Sequence, residues 1–262
     1  VEQRTKASAI IGASIGVSFA LALVLGPVLA AWGGLPRVFE ATAVMGGLGL
    51  MVVLVGLPAT PQLTDGGRAH IADRKRLGEA LWGQGLGILY ASIFCLHLLL
   101  MAAFTAIPAV MTEQVGLPPE QHAWLYLATL CGALPGVAML VRRRQALDDS
   151  RPLLALSVLL TVLGLVTALW ASSLLVLGVG LMLFFAGFTA LETILPALVS
   201  IVAPTSLRGT AMGIFSSAQF LGVFTGGALG GNALHVGGAV GLVAVLSILT
   251  GIWLAGLWRY GR

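Results

Sequence analysis

The sequence predicts an all-α protein, a polytopic bundle of eight transmembrane helices. Of its 262 residues, 58% are hydrophobic and only 9% are charged, and the mean hydropathy is +1.00. A soluble globular chain carries about 25% charged residues, so this chain has too few charges to cover a surface that faces water. The composition therefore excludes an ordinary soluble enzyme, a disordered chain and a nucleic-acid-binding module.

Eight apolar stretches are each near or above the roughly 20 residues that a helix needs to cross a bilayer. None alternates strictly between polar and apolar residues, as a membrane-spanning strand would. A tight turn at Ser172 and Ser173 is expected between the fifth stretch and the sixth. The stretches cover residues 7–32, 38–57, 87–111, 123–141, 152–171, 174–202, 210–229 and 236–258.

The cations segregate when the connections between these stretches are assigned alternately to two sides. One side receives only Arg37. An excess of Lys and Arg marks the cytoplasmic side, so we expect a bacterial-type cytoplasmic (inner) membrane, with both ends of the chain cytoplasmic. The other side receives Arg4, Lys6, Arg68, Arg74, Lys75, Arg76, Arg142, Arg143, Arg144, Arg151, Arg208, Arg259 and Arg262.

An internal repeat relates the first stretch to the seventh. Arg4 precedes the first stretch and Arg208 precedes the seventh, and a glycine-rich helix follows each of them. Duplicated six-helix halves with parallel repeats are typical of secondary transporters. The repeat therefore favours a transporter.

Three segments resemble the major facilitator superfamily. Residues 4–27, with Gly12, Gly16 and the pair Gly26 and Pro27, resemble its fifth helix, which carries the antiporter motif of drug/proton efflux members. Gly132 and Gly136, followed by Arg142, Arg143 and Arg144, resemble the degenerate copy of its cytoplasmic loop motif. Residues 184–192 and 208–222 look closest to the YajR-like efflux branch.

The resemblance implies that the chain holds helices five to twelve of twelve. Residues 1–57 would then be the last two helices of the N-terminal half, 58–85 a cytoplasmic central linker, and 86–262 the six-helix C-terminal half. The first four helices of the same protein would be missing partners. It also implies proton-coupled efflux of small, mostly apolar compounds by alternating access, with the Gly-Pro helix blocking leak.

Small residues spaced four apart let membrane helices approach closely. Gly12 and Gly16, and Gly132 and Gly136, have this spacing, as do two rows in the seventh stretch. Helix packing alone is an equally good interpretation of any single pair. The two rows are Gly222, Gly226 and Gly230, and Gly227 and Gly231.

Three polar side chains from three helices lie about 15 Å from the predicted cytoplasmic face at 1.5 Å per residue. They are Glu192, His97 and Gln219. An ionisable residue at that depth is a functional hypothesis, so Glu192 is the first candidate for proton coupling and His97 the second. A histidine such as His97 more often has a packing role. A glutamine such as Gln219 more often forms hydrogen bonds between helices.

Helical spacing places apolar side chains beside these polar groups. Phe185 and Phe188 share a face with Glu192, and Met101 and Phe104 share one with His97. Such a lining suits an apolar or cationic compound, although lipid-facing or packed side chains explain each residue equally well.

These residues are also compatible with other functions. A sugar or metabolite transporter of the same superfamily is one, and a small helical channel or membrane-embedded enzyme is another. No repeat typical of an ion-selectivity filter supports a channel. No Ser/His/Asp set or phosphate-binding loop supports an enzyme. We expect no cofactor, metal or nucleic-acid partner, only lipid, protons and a small-molecule substrate.

Overall fold

The computed structural model describes residues 2–56, 78, 80–145 and 149–259, with side chains from Ser18 onward apart from residues 19, 20, 23, 84, 144 and 145. These residues form an all-helical structure, as predicted. A 3₁₀ turn at Gly83–Gly85 precedes the second helix, and a π turn at Val110–Gln114 follows it. The helices are α1 Glu2–Gly56, α2 Leu86–Ala109, α3 Pro119–Gln145, α4 Arg151–Leu169, α5 Leu174–Val202 and α6 Arg208–Arg259.

Two of these helices are too long for one crossing. The 52 residues of α6 would span about 78 Å at 1.5 Å per residue, more than twice the hydrocarbon core. Each long helix is interrupted by glycine, at Gly33 and Gly34 in α1 and at Gly238 in α6. Six described segments are long and apolar enough to cross a membrane. The break in α1 falls between the first and second predicted stretches, whereas Gly238 lies within the eighth, because the helix continues through the connection predicted at residues 230–235.

The contacts of α6 with α2 show that the chain reverses at Gly238. Before the break, Gly222 lies against Phe94, Gly226 against Leu98 and Gly230 against Ala102, so this arm runs parallel to α2. After the break, Trp253 donates a hydrogen bond from Nε1 to Ser92 Oγ over 2.8 Å. Gly256 then lies against Ile88, so the second arm runs antiparallel. Both arms therefore pack on the same helix.

A second close pair consists of α4 and α5. A Cβ at Gly164 would lie 2.6 Å from the carbonyl oxygen of Gly180, and one at Gly187 would lie 2.7 Å from the backbone nitrogen of Thr161. Side chains larger than hydrogen do not fit there without a shift. The bundle thus contains two pairs of helices in backbone contact, α2 with α6 and α4 with α5.

The connections between helices are short where the structure describes them. Ser173 caps α5 by accepting a hydrogen bond from Val176 N over 3.4 Å, at the predicted tight turn. Asp149 binds the backbone and guanidinium nitrogens of Arg151 at the start of α4, and these hydrogen bonds lower the pKa of the Asp149 carboxyl. Residues 58–77 and 79 of the predicted linker lie outside the described residues, so the domain boundaries remain a prediction.

Candidate transport site

The three polar residues predicted at the midplane contact one another. Gln219 Nε2 donates hydrogen bonds to His97 Nε2 over 2.8 Å and to Glu192 Oε1 over 3.2 Å. His97 Nε2 also lies 3.7 Å from Glu192 Oε2. We call His97, Glu192 and Gln219 the polar triad. It joins α2, α5 and α6 through side chains that are far apart in sequence.

The hydrogen bonds of His97 define one tautomer of the ring. Nε2 accepts the proton of the Gln219 amide, so the ring proton lies on Nδ1, 3.2 Å from the carbonyl oxygen of Ile93. The imidazole is therefore neutral in this arrangement. Its side chain is only 7% exposed, against 20% for Glu192, so adding a charge to either group would be costly unless the other compensated it.

Backbone packing explains why Gln219 reaches His97. Gly222, three residues after Gln219, lies against Phe94, and Gly226 lies against Leu98. Since both glycines lack a side chain, α2 and α6 approach closely around the level of the triad. The glycine row and the polar contact are thus two features of one helix interface.

One carboxyl oxygen of the triad carries no hydrogen bond. Glu192 Oε2 is buried and has no hydrogen-bond partner among the residues that the structure describes, while Oε1 binds the Gln219 amide. Buried polar atoms are nearly always paired, and an exception calls for an explanation. His97 Nε2, which lies 3.7 Å away, could become its partner after a shift of under about 1 Å, since N–H···O bonds are usually shorter than about 3.2 Å.

An aromatic cluster adjoins the triad. The ring of His97 makes an edge contact with Phe188 at 5.6 Å, and Phe188 stacks on Phe184 at 5.9 Å. Ring contacts continue through Phe185 to Tyr126, which stacks on Phe104 at 5.1 Å. We define the aromatic cluster as Phe104, Tyr126, Phe184, Phe185 and Phe188. The predicted residues Phe104, Phe185 and Phe188 are therefore brought together.

Sequence reasoning missed Tyr126. Its side chain is buried, with 6% of its surface exposed, and its hydroxyl has no hydrogen-bond partner among the described residues. Because Tyr126 comes only three residues after the start of the fourth predicted stretch, its position was equally typical of a tyrosine at the membrane–water interface. Met101, which was predicted, is only partly buried.

The remaining predicted residues have different surroundings. A Cβ at Gly132 would meet Met182 and one at Gly136 would meet Ala186, so this pair does pack on α5. Around Gly26 and Gly227, no described atom lies within 4 Å of a Cβ, and Pro27 is exposed within the helical part of α1. Arg142 and Arg143 are exposed at the end of α3, and Arg208 is partly buried at the start of α6. The side chains of Arg4 and Arg144 and the surroundings of Gly12 and Gly16 lie outside what the structure describes.

Comparison with known proteins identifies the family. The model of the Major Facilitator Superfamily matches residues 1–226. The chain belongs to this superfamily of membrane transporters. Membership indicates a transporter rather than an enzyme, and an integral membrane protein. The predicted fold class and superfamily are confirmed, while the drug/proton antiporter branch stays a prediction.

Curated relatives carry transporter names. The chain is 33% identical to the inner membrane transport protein YajR of Escherichia coli (strain K12), over 97% of this chain and 56% of the relative. It is 28% identical to an uncharacterized transporter of Buchnera aphidicola subsp. Acyrthosiphon pisum, over 86% of this chain and 58% of that protein. The chain spans just over half the length of the curated relatives it matches.

Proposed function

We propose that the protein is a proton-coupled secondary transporter that exports small, mostly apolar compounds across the inner membrane by alternating access. The observation that carries this proposal is the polar triad, in which a buried carboxyl lies beside a histidine on another helix. Ionisable groups inside a membrane segment are costly and mark substrate or proton pathways. Sites at the bilayer midplane are typical of secondary transporters.

The triad supports a specific coupling step. A proton arriving at His97 Nε2 would displace the hydrogen bond that this nitrogen accepts from Gln219. The protonated ring would then donate to Glu192 Oε2, which has no hydrogen-bond partner and lies 3.7 Å away. The imidazolium and carboxylate would compensate each other. Proton binding thus exchanges a bond between α2 and α6 for one between α2 and α5.

This exchange would bias the relative position of two helix pairs. His97 and Gln219 belong to the α2 and α6 pair, whereas Glu192 belongs to α5, which packs closely on α4. Each pair is held by backbone contacts across glycines, so a change in triad bonding acts at the boundary between them. A two-state element that a proton favours in one arrangement is what coupling requires.

The aromatic cluster supports an apolar or cationic aromatic substrate. Phe104, Phe185 and Phe188 belong to the ring contacts that lead to the triad, with Met101 nearby on α2. Aromatic faces attract organic cations, and methionine adapts to varied shapes. Because Glu192 can also offset a ligand cation, we use ethidium, a planar aromatic cation, as the probe.

The remaining candidate residues would serve the conformational change. In this proposal Gly12, Gly16, Gly26 and Pro27 seal or bend the first span, led by Arg4, and Gly227 belongs to the corresponding helix led by Arg208. The cations Arg142, Arg143 and Arg144 would bind partners in a cytoplasmic loop. Glycine spacing and the family resemblance support these roles.

The test compares Glu192→Gln with wild type in the natural protein. In energised cells that lack other ethidium exporters, wild type should lower ethidium accumulation severalfold. E192Q should lose the component that depends on the proton gradient, while exchange of ethidium across reconstituted vesicles without a gradient persists. The amide keeps the shape of the side chain but lacks the negative charge that would compensate a protonated His97.

A matched control uses a carboxyl at the surface. Glu120 is exposed in the first turn of α3, so Glu120→Gln should leave efflux unchanged. Full proton-driven efflux by E192Q would overturn the coupling role of Glu192. Failure of the folded wild type to move ethidium would overturn the proposed substrate class.

A further inference from the structure

The hydroxyl of Tyr126 is the feature of the aromatic cluster that protein contacts leave unexplained. Its oxygen is buried and has no hydrogen-bond partner within the described part of the chain, although buried tyrosine hydroxyls usually find one. The ring itself is well accommodated, since it stacks on Phe104 at 5.1 Å and meets the edge of Phe185 at 6.5 Å. Phenylalanine would make the same ring contacts without an unpaired polar atom.

A second buried tyrosine shows how the fold satisfies such a group. Tyr90 on α2 is buried to a similar degree, with 7% of its surface exposed, against 6% for Tyr126. Its hydroxyl donates to the carbonyl oxygen of Ala80 over 2.7 Å. The bundle therefore can supply a partner to a buried phenol, and at Tyr126 it does not.

The position of Tyr126 connects it to the triad. Ring contacts run from Tyr126 through Phe185, Phe184 and Phe188 to His97, which binds Gln219. The unpaired hydroxyl thus lies at one end of a continuous chain of buried aromatic contacts, with the polar triad at the other. An aromatic compound that enters between these rings would meet a hydrogen-bond donor at one end and a carboxyl at the other.

We infer that Tyr126 is a ligand-contact residue whose hydroxyl donates a hydrogen bond to an acceptor atom on an aromatic ligand held in the cluster. This inference rests on the proposed function and adds a requirement to it, since the preferred ligand carries an acceptor as well as a ring. A site built to hydrogen-bond a ligand discriminates strongly against an analogue that lacks the group. A purely apolar compound would leave the hydroxyl unpaired.

The test measures displacement of ethidium fluorescence from the purified natural protein in lipid nanodiscs. Quinoline and naphthalene have the same two-ring shape, but only quinoline has an acceptor nitrogen. Wild type should require about fivefold to tenfold less quinoline than naphthalene for half displacement. In Tyr126→Phe the two concentrations should become nearly equal because quinoline weakens, while naphthalene is unchanged.

Tyr90→Phe is the control for a loss of structure. It removes a satisfied hydroxyl outside the cluster, so it should lower the thermal midpoint and leave the quinoline preference intact. Y126F should have a thermal midpoint at least as high as that of wild type, because it removes an unpaired polar atom. A change in its ligand binding can then not be attributed to a loss of structure.

Each result separates this inference from the proposal on which it rests. An unchanged quinoline preference in Y126F, or no preference in wild type, overturns the role of Tyr126 while ethidium binding still supports the transport site. Failure of wild type to bind ethidium at all overturns the proposed ligand class and this inference with it. Binding does not depend on the proton gradient, so a coupling defect at Glu192 does not affect the measurement.

Discussion

Two rows of glycine in α6 have the same spacing and opposite surroundings. Gly222, Gly226 and Gly230 lie against the backbone of α2, where a Cβ at Gly230 would come within 2.7 Å of Ala102 Cα. Gly227 and Gly231 have nothing within 4 Å of a Cβ in the described structure. A four-residue repeat of glycine therefore indicates that close packing is possible, and the neighbouring helix decides which repeat uses it.

The comparison also bears on the candidate site. The packed row, Gly222, Gly226 and Gly230, brings α6 close enough to α2 for Gln219 to bind His97. Its glycines therefore contribute to the site without touching it. The open row, Gly227 and Gly231, does not hold α6 against another helix among the described residues. Gly256, in the second arm of α6, is intermediate because its nearest neighbour is the flexible end of Ile88, 3.0 Å away.

The largest effect is expected for Gly226→Ala. A methyl group there would lie 2.7 Å from Leu98 Cα and closer still to the Leu98 carbonyl oxygen, so the helices must separate. Overpacking of this kind costs about 1–3 kcal/mol. We expect a thermal midpoint several degrees lower for the purified natural protein in detergent, together with reduced ethidium efflux. A midpoint equal to wild type would show that α2 and α6 do not depend on this contact.

A smaller effect is expected for Gly256→Ala. The Ile88 side chain can rotate away from the new methyl group, so the free energy of unfolding should fall by less than about 1 kcal/mol. The same thermal measurement checks this, and efflux should be retained. A loss as large as that of G226A would mean that the second arm is packed as rigidly as the first.

The smallest effect is expected for Gly227→Ala. With open space around it, the free energy of unfolding should stay within about 0.5 kcal/mol of wild type. Alanine also favours the helix, which offsets any minor crowding. A loss comparable to that of G226A would indicate that a part of the protein outside the described residues packs on this face.

Much of the fold could be predicted because it depends on composition and length. The eight apolar stretches follow from runs of about 20 residues, and the break at Gly34 falls between the first two of them, whereas the break at Gly238 lies just inside the eighth. The depth of His97, Glu192 and Gln219 was equally accessible, since residue number along a helix fixes height. The rotation of each helix about its axis was not accessible in the same way.

Tyr126 illustrates what could not be predicted from the sequence alone. In water, an apolar stripe shows which face of a helix is buried, but lipid and protein interior are both apolar, so a membrane helix lacks that signal. Whether Tyr126 faced lipid, a neighbouring carbonyl or an aromatic ring could not be read from its position. The structure places it against Phe104 and leaves its hydroxyl unpaired.

The sequence by itself determined that the chain crosses a membrane as helices and where most of those helices begin and end to within a few residues, although the seventh continues past its predicted end at residue 229. Only the tertiary structure decided that His97, Glu192 and Gln219 meet and that one glycine row of α6 packs while the other does not. The physical reason is that hydropathy and helical rise act along the chain, whereas contact depends on how helices rotate and pair, and this is set by close packing between them.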